Sequence, residues 1–144
     1  MTNLIVEDFD VMLGKTIESI DGKVGDDVMD FFAEDGTIFK FIYYPDCCAS
    51  CNIIDIIGDL SDLLNSPILE AQQITSENYK NKGDYQPSDS YTWSFYRFST
   101  VQGTVTVRWL GESNGYYSES VDFKVIKPKH PIAPKAKESK LKYA

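Results

Sequence analysis

Residues 91–123, reading YTWSFYRFSTVQGTVTVRWLGESNGYYSESVDF, constrain the fold more than any other stretch of this chain. Aromatic and β-branched residues alternate with polar ones, and the alternation breaks at Gln102-Gly103 and again at Asn114-Gly115. Period-two alternation gives a strand one apolar and one polar face, and glycine-containing pairs let the chain reverse. The pattern predicts three antiparallel strands in a row.

Elsewhere the signals are shorter. Leu4, Ile5, Phe9, Met12 and Leu13 recur near a helical period before Gly14, which predicts a short amphipathic opening helix. KTIESI (residues 15–20) alternates as a strand, and residues 28–33 and 37–44 read as a hairpin turned at Glu34-Asp35-Gly36. Residues 58–64 predict a second short helix with acids near its positive end. Residues 68–75 read as a central strand, and the polar stretch 76–90, with Gly83 and Pro87, as a long mobile loop.

The expected class is therefore α+β: a mainly antiparallel β-sheet of about seven strands with two short helices. A small β-barrel or sandwich is the alternative. At 144 residues the chain is long enough for one domain with a core that needs no disulfide or metal. Residues 1–126 are expected to be that globular domain, and residues 127–144 a flexible tail rich in lysine and proline.

Charge divides along the same line. Residues 1–123 carry seven basic and 21 acidic side chains, whereas residues 124–144 carry seven lysines against Glu138. An acidic body lacks the basic face that phosphate neutralisation needs, which argues against general nucleic-acid binding; it favours solubility and attraction to basic partners. No basic leader opens the chain and no apolar run approaches membrane-spanning length, so a cytoplasmic protein without membrane association is expected.

Both arginines, Arg97 and Arg108, fall in the 91–123 stretch. With Gln102-Gly103 as a two-residue loop, Arg97 faces Arg108 beside Ser99, Thr104 and Thr106. Tyr96, Phe98, Val105, Val107 and Trp109 occupy the opposite face. Directly opposed like charges are unfavourable unless neutralised. A phosphate or carboxylate would do so through bidentate contacts, and so would Glu112 or Glu119. A bulge would separate the two arginines onto different faces. Tyr96, Trp109, Asn114 and Tyr116 are candidates for stacking and edge contacts to such a ligand, although turn chemistry and core packing also account for them.

Catalytic parts are missing. The single histidine, His130, lies in the tail, and no phosphate-binding glycine loop or dinucleotide fingerprint is present. Cys48-x-x-Cys51 has redox spacing without the usual strand-to-helix context, and Cys47, Cys48 and Cys51 lack an obvious fourth zinc ligand. Asp55, Asp59 and Asp62 lack calcium-loop spacing and read as a solvated helix face. A non-catalytic binding protein with no metal and no cofactor is expected, and a homo-oligomer is left open.

LGKTI (13–17), Asp35-Gly36, Asp46-Cys47-Cys48, DIIGDLSDLLNSPILEA (55–71) and residues 93–123 together resemble a family of small bacteriophage proteins grouped as a domain of unknown function. The long W-x-F-Y-R-F…R-W-x-G-E-S-N-G-Y-Y-S-E segment carries most of that resemblance. Ala49 stands where similar sequences are expected to have an acid. The resemblance implies a phage accessory product made in the host bacterial cytoplasm, and small phage proteins of this kind often counter bacterial defence. By analogy of size and residue type, the expected function is sequestration of a small anionic ligand such as a nucleotide immune signal. The alternative is an acidic protein–protein inhibitor of a host nuclease or CRISPR effector.

Overall fold

The alternating stretch forms two eleven-residue strands, Ser90–Thr100 and Gly103–Ser113, paired antiparallel along their whole length. The computed structural model describes residues 3–45, 48–77, 90–113 and 120–128, with backbone alone at 3–8, 76, 77 and 90. In chain order its strands are β1 (Asn3–Asp8), β2 (Ile17–Asp21), β3 (Val28–Ala33), β4 (Ile38–Ile42), β5 (Ala49–Ile57), β6 (Glu70–Glu77), β7 (Ser90–Thr100), β8 (Gly103–Ser113) and β9 (Asp122–Ile126). Single 3-10 turns lie at Asp10–Met12 and Leu60–Leu63.

Two antiparallel sheets result, one ordered β1-β6-β7-β8-β5 and the other β2-β3-β4-β9. Their apolar faces meet. Met29, Phe31, Phe39 and Phe41 from the four-stranded sheet pack with Ile53, Tyr96, Phe98, Val105, Val107 and Trp109 from the five-stranded sheet. Phe31 lies 4.9 Å from Phe98 and Phe41 4.8 Å from Tyr96, ring centre to ring centre. Phe9 closes one end, 4.5 Å from Phe123 and 5.8 Å from Phe41. Each such ring taken from water contributes about 1.5–3 kcal/mol, so the rings between the sheets hold the layers together. The architecture is a mainly antiparallel β-sandwich, and no barrel closes.

Several local expectations change. The helix expected over residues 4–13 is a strand followed by one 3-10 turn, because Asn3 to Asp8 pair with Glu77 to Gln72 of β6. Ladder pairing overrides a weak helical period. The helix expected over 58–64 is reduced to Leu60–Leu63, capped by Asp59, whose Oδ1 accepts from the Ser61 amide at 3.0 Å. Before it, Ala49–Ile57 forms an edge strand with a bulge between Ile53 and Asp55. The third strand of the expected meander does not return to β8: β9 pairs with β4 in the other sheet, Phe41 opposite Phe123 and Phe39 opposite Val125. Crossing over puts Phe123 and Val125 against the core.

The β7–β8 turn is Val101-Gln102, one residue earlier than expected, with Thr100 opposite Gly103. Contacts from the Leu60–Leu63 region fix it there. Gln102 Nε2 donates to the Leu64 carbonyl at 3.1 Å and to Ser66 Oγ at 2.8 Å, while Thr100 Oγ1 donates to the Asp62 carbonyl. The same contact restricts two glycines. A Cβ on Gly103 would lie 2.7 Å from Asp62 Oδ2, and one on Gly58, at φ +108°, would lie 2.7 Å from the Thr104 carbonyl oxygen.

Candidate functional site

The outward face of the five-stranded sheet carries both arginines. Alternation along β7 places Trp93, Phe95, Arg97 and Ser99 on one side, and register places Thr104, Thr106, Arg108 and Leu110 of β8 beside them. Arg97 sits opposite Thr106 and Arg108 opposite Phe95, so the arginines are diagonal neighbours and not a directly opposed pair. Moving the turn by one residue shifted every partner by two, which kept the faces and changed the pairs.

Each guanidinium has a carboxylate nearby on a flanking strand. Arg97 Nε is 3.6 Å from Glu70 Oε1 on β6, and Arg108 Nη1 is 3.6 Å from Asp55 Oδ2 on β5. Both separations exceed hydrogen-bonding distance. Glu70 is instead held by Ser99, whose hydroxyl donates to Oε1 at 2.9 Å and lies 3.0 Å from Thr104 Oγ1. Of the carboxylates expected from sequence, Glu112 lies on β8 and Glu119 lies outside the described residues.

Arg108 is the more enclosed arginine, its side chain 25% exposed against 51% for Arg97. Its guanidinium carbon lies 4.8 Å from the centre of the Trp93 ring and 5.5 Å from that of Phe95. The two rings stack on each other at 6.0 Å and 22°. With Tyr91 and Leu110 they form a second, smaller apolar cluster, separate from the core between the sheets. Trp93 is 2% exposed, yet its indole Nε1–H has no hydrogen-bond acceptor among the described residues. A buried donor left unpaired costs about 1–3 kcal/mol.

The structure corrects the aromatic candidates. Tyr96 and Trp109 are each 1% exposed and point between the sheets, on the side opposite the arginines. They are core residues. Asn114 and Tyr116 lie outside the described residues. Sequence alone does not single out Trp93, Phe95 or Glu70, although parity puts Trp93 and Phe95 on the Arg97 side. Asp55, which reads in sequence as part of a solvated helix face, lies on the edge strand β5 beside Arg108.

The remaining sequence candidates disperse. Asp55 borders Arg108, Asp59 caps a 3-10 turn, and Asp62 abuts Gly103. Cys51 is buried in the core, Cys48 is exposed at φ +68°, and Cys47 lies outside the described residues. Among the described residues no three His, Cys, Asp or Glu side chains gather as a metal site. None of the described helices is long and apolar enough to cross a membrane. Asp35 shows the clearest carboxyl shift. Burial pushes its pKa up, but the Lys15 ammonium at 2.7 Å and the Thr37 amide outweigh that and lower it to about 2.

Residues 10–123 match the family described as Domain of unknown function (DUF7448), and the chain belongs to that family. No curated protein and no solved structure matches the chain.

Proposed function

We propose that the outward face around Arg108 and Trp93 binds a small anionic ligand without transforming it. The observation that carries this reading is the Trp93 Nε1–H, a buried donor with no acceptor among the described residues, beneath a guanidinium that is not hydrogen-bonded to Asp55. A guanidinium presents five donors and suits carboxylate or phosphate oxygens. Asp55, with its side chain 47% exposed, can swing away as the ligand enters. Arg97 adds charge one diagonal step along the sheet. The neighbouring carboxylates leave little net positive charge, which suits a ligand carrying one or two charges and not a polyanion.

In this reading the protein is a phage accessory product in the host bacterial cytoplasm. It holds a nucleotide immune signal and so withdraws it from a defence system. A thermal-shift screen of cyclic and linear nucleotides tests it. At about a hundred times Kd a ligand stabilises by about 2.7 kcal/mol, a rise in Tm of about 5–10 °C for a domain this size. Arg108→Ala removes the rise. Unchanged melting across the panel would contradict the reading.

A further inference from the structure

The outward face of the four-stranded sheet carries an ordered row of charge. Register places Asp21 opposite Asp30, Asp30 opposite Lys40, and Lys40 opposite Lys124, so one line across β2, β3, β4 and β9 reads two negatives and then two positives. The buried alternates Met29, Phe31, Phe39 and Phe41 point to the core, which leaves this row facing outward. Like charges directly opposed on adjacent strands are destabilising. The central pair is neutralised, Lys40 Nζ lying 2.9 Å from Asp30 Oδ1, though off the hydrogen-bonding direction. Asp21 and Lys124, at the two ends, have no ion-pair partner among the described residues. Among the described residues Lys124 reaches the Tyr44 ring, at 5.4 Å.

Apolar residues flank the row on both sides. The apolar residues Phe32, Ile38 and Ile126 share one register line and Val28 and Ile42 the other, which ends at the exposed Asp122 on β9. Ile126 is 41% exposed, and the other four are half-buried.

We infer that this face pairs with the same face of a second copy of the chain. A two-fold axis lying along the strands between β3 and β4 lays β2 over the partner's β9 and β3 over the partner's β4. Asp21 then meets the partner's Lys124, Asp30 meets the partner's Lys40, and Phe32 meets the partner's Ile38. Every contact occurs twice, as an isologous interface requires, and the strands align as they do when two sheets pack face to face. The charge order is self-complementary under this operation, whereas a face built for an unrelated partner has no reason to be. Four strands about 4.8 Å apart and about five residues long give a footprint of about 300 Å². Counting both copies that is about 600 Å², well under the roughly 1,200–2,000 Å² of a stable specific interface, so the dimer is weak and salt-sensitive.

Sedimentation velocity over a micromolar to sub-millimolar series at low salt tests the inference, independently of any ligand. The wild-type chain shows a concentration-dependent dimer. Asp21→Lys alone and Lys124→Asp alone each weaken it about tenfold or more, because like charges then meet across the axis. Combining the two exchanges restores dimerisation to near the wild-type level. Both positions are exposed, and circular dichroism confirms that each variant folds. A wild-type chain that stays monomeric throughout, single exchanges that dimerise unchanged, or a double exchange no better than the singles would overturn it.

Discussion

The Arg108 guanidinium lies 4.8 Å above the centre of the Trp93 ring, on the opposite side of the sheet from the main core. Cation–π contact of this kind contributes about 0.5–2 kcal/mol, more when desolvated. It seats the guanidinium over an aromatic shelf, with Asp55 beyond hydrogen-bonding distance at 3.6 Å. The shelf belongs to the hairpin, while Asp55 comes from a bulged edge strand, so the two charges are carried on different elements.

Arg108→Ala and Arg108→Lys separate packing from recognition. Alanine loses both the ring contact and the donors, lowering stability by about 1 kcal/mol and abolishing ligand-induced stabilisation. Lysine keeps charge but not the planar fork, and recovers stability without recovering full affinity. Denaturant titrations with and without nucleotide measure both quantities.

Trp93→Phe makes a sharper distinction. It removes an indole donor that has no acceptor among the described residues while keeping an aromatic ring, so stability of the free protein changes by less than about 1 kcal/mol or rises. Ligand affinity falls. A structural indole with an acceptor of its own would instead make the substitution costly in the free protein.

Gly58→Ala and Gly103→Ala probe the contact that fixes the hairpin turn. At Gly58 the backbone is left-handed, φ +108°, and the obstruction is a carbonyl oxygen, so alanine costs about 2 kcal/mol or more. At Gly103 the obstruction is the end of the Asp62 side chain, which can rotate away, and alanine costs less. Paired urea melts establish the order.

The Lys15–Asp35 pair sets a pH dependence. The Asp35 pKa is lowered from 3.8 to about 2 in the folded chain, so its contribution is fully present above about pH 4 and disappears as pH falls toward 2. With partial solvent screening the contribution is about 1 kcal/mol. Asp35→Asn removes it at neutral pH and flattens stability across that window, measurable by urea titration at pH 5, 4, 3 and 2.5, to about that precision.

Local chemistry made part of this fold legible. The Glu34-Asp35-Gly36 turn announced the β3–β4 hairpin, and Gly36 takes φ +91° while Asp35 Oδ1 accepts from the Thr37 amide at 3.0 Å. Alternation along β7 and β8 assigned the faces correctly, down to the separation of Arg97 from Tyr96. Non-local contacts decided the rest. The Gln102 bonds to Leu64 and Ser66 moved the turn, β6 recruited β1 out of a helical pattern, and β4 captured β9 across the sandwich. None of these leaves a mark in a window of ten residues.

The most direct measurement is the indole resonance of Trp93 in a ¹H–¹⁵N spectrum, with Trp109, enclosed in the core, as internal reference. On titration with a nucleotide that raises Tm, the Trp93 Nε1–H signal is expected to move downfield as it acquires an acceptor. The Trp109 signal stays in place, and Arg108→Ala abolishes the movement. A Trp93 signal that holds its position throughout saturation by that nucleotide would contradict a site built on this indole and this arginine.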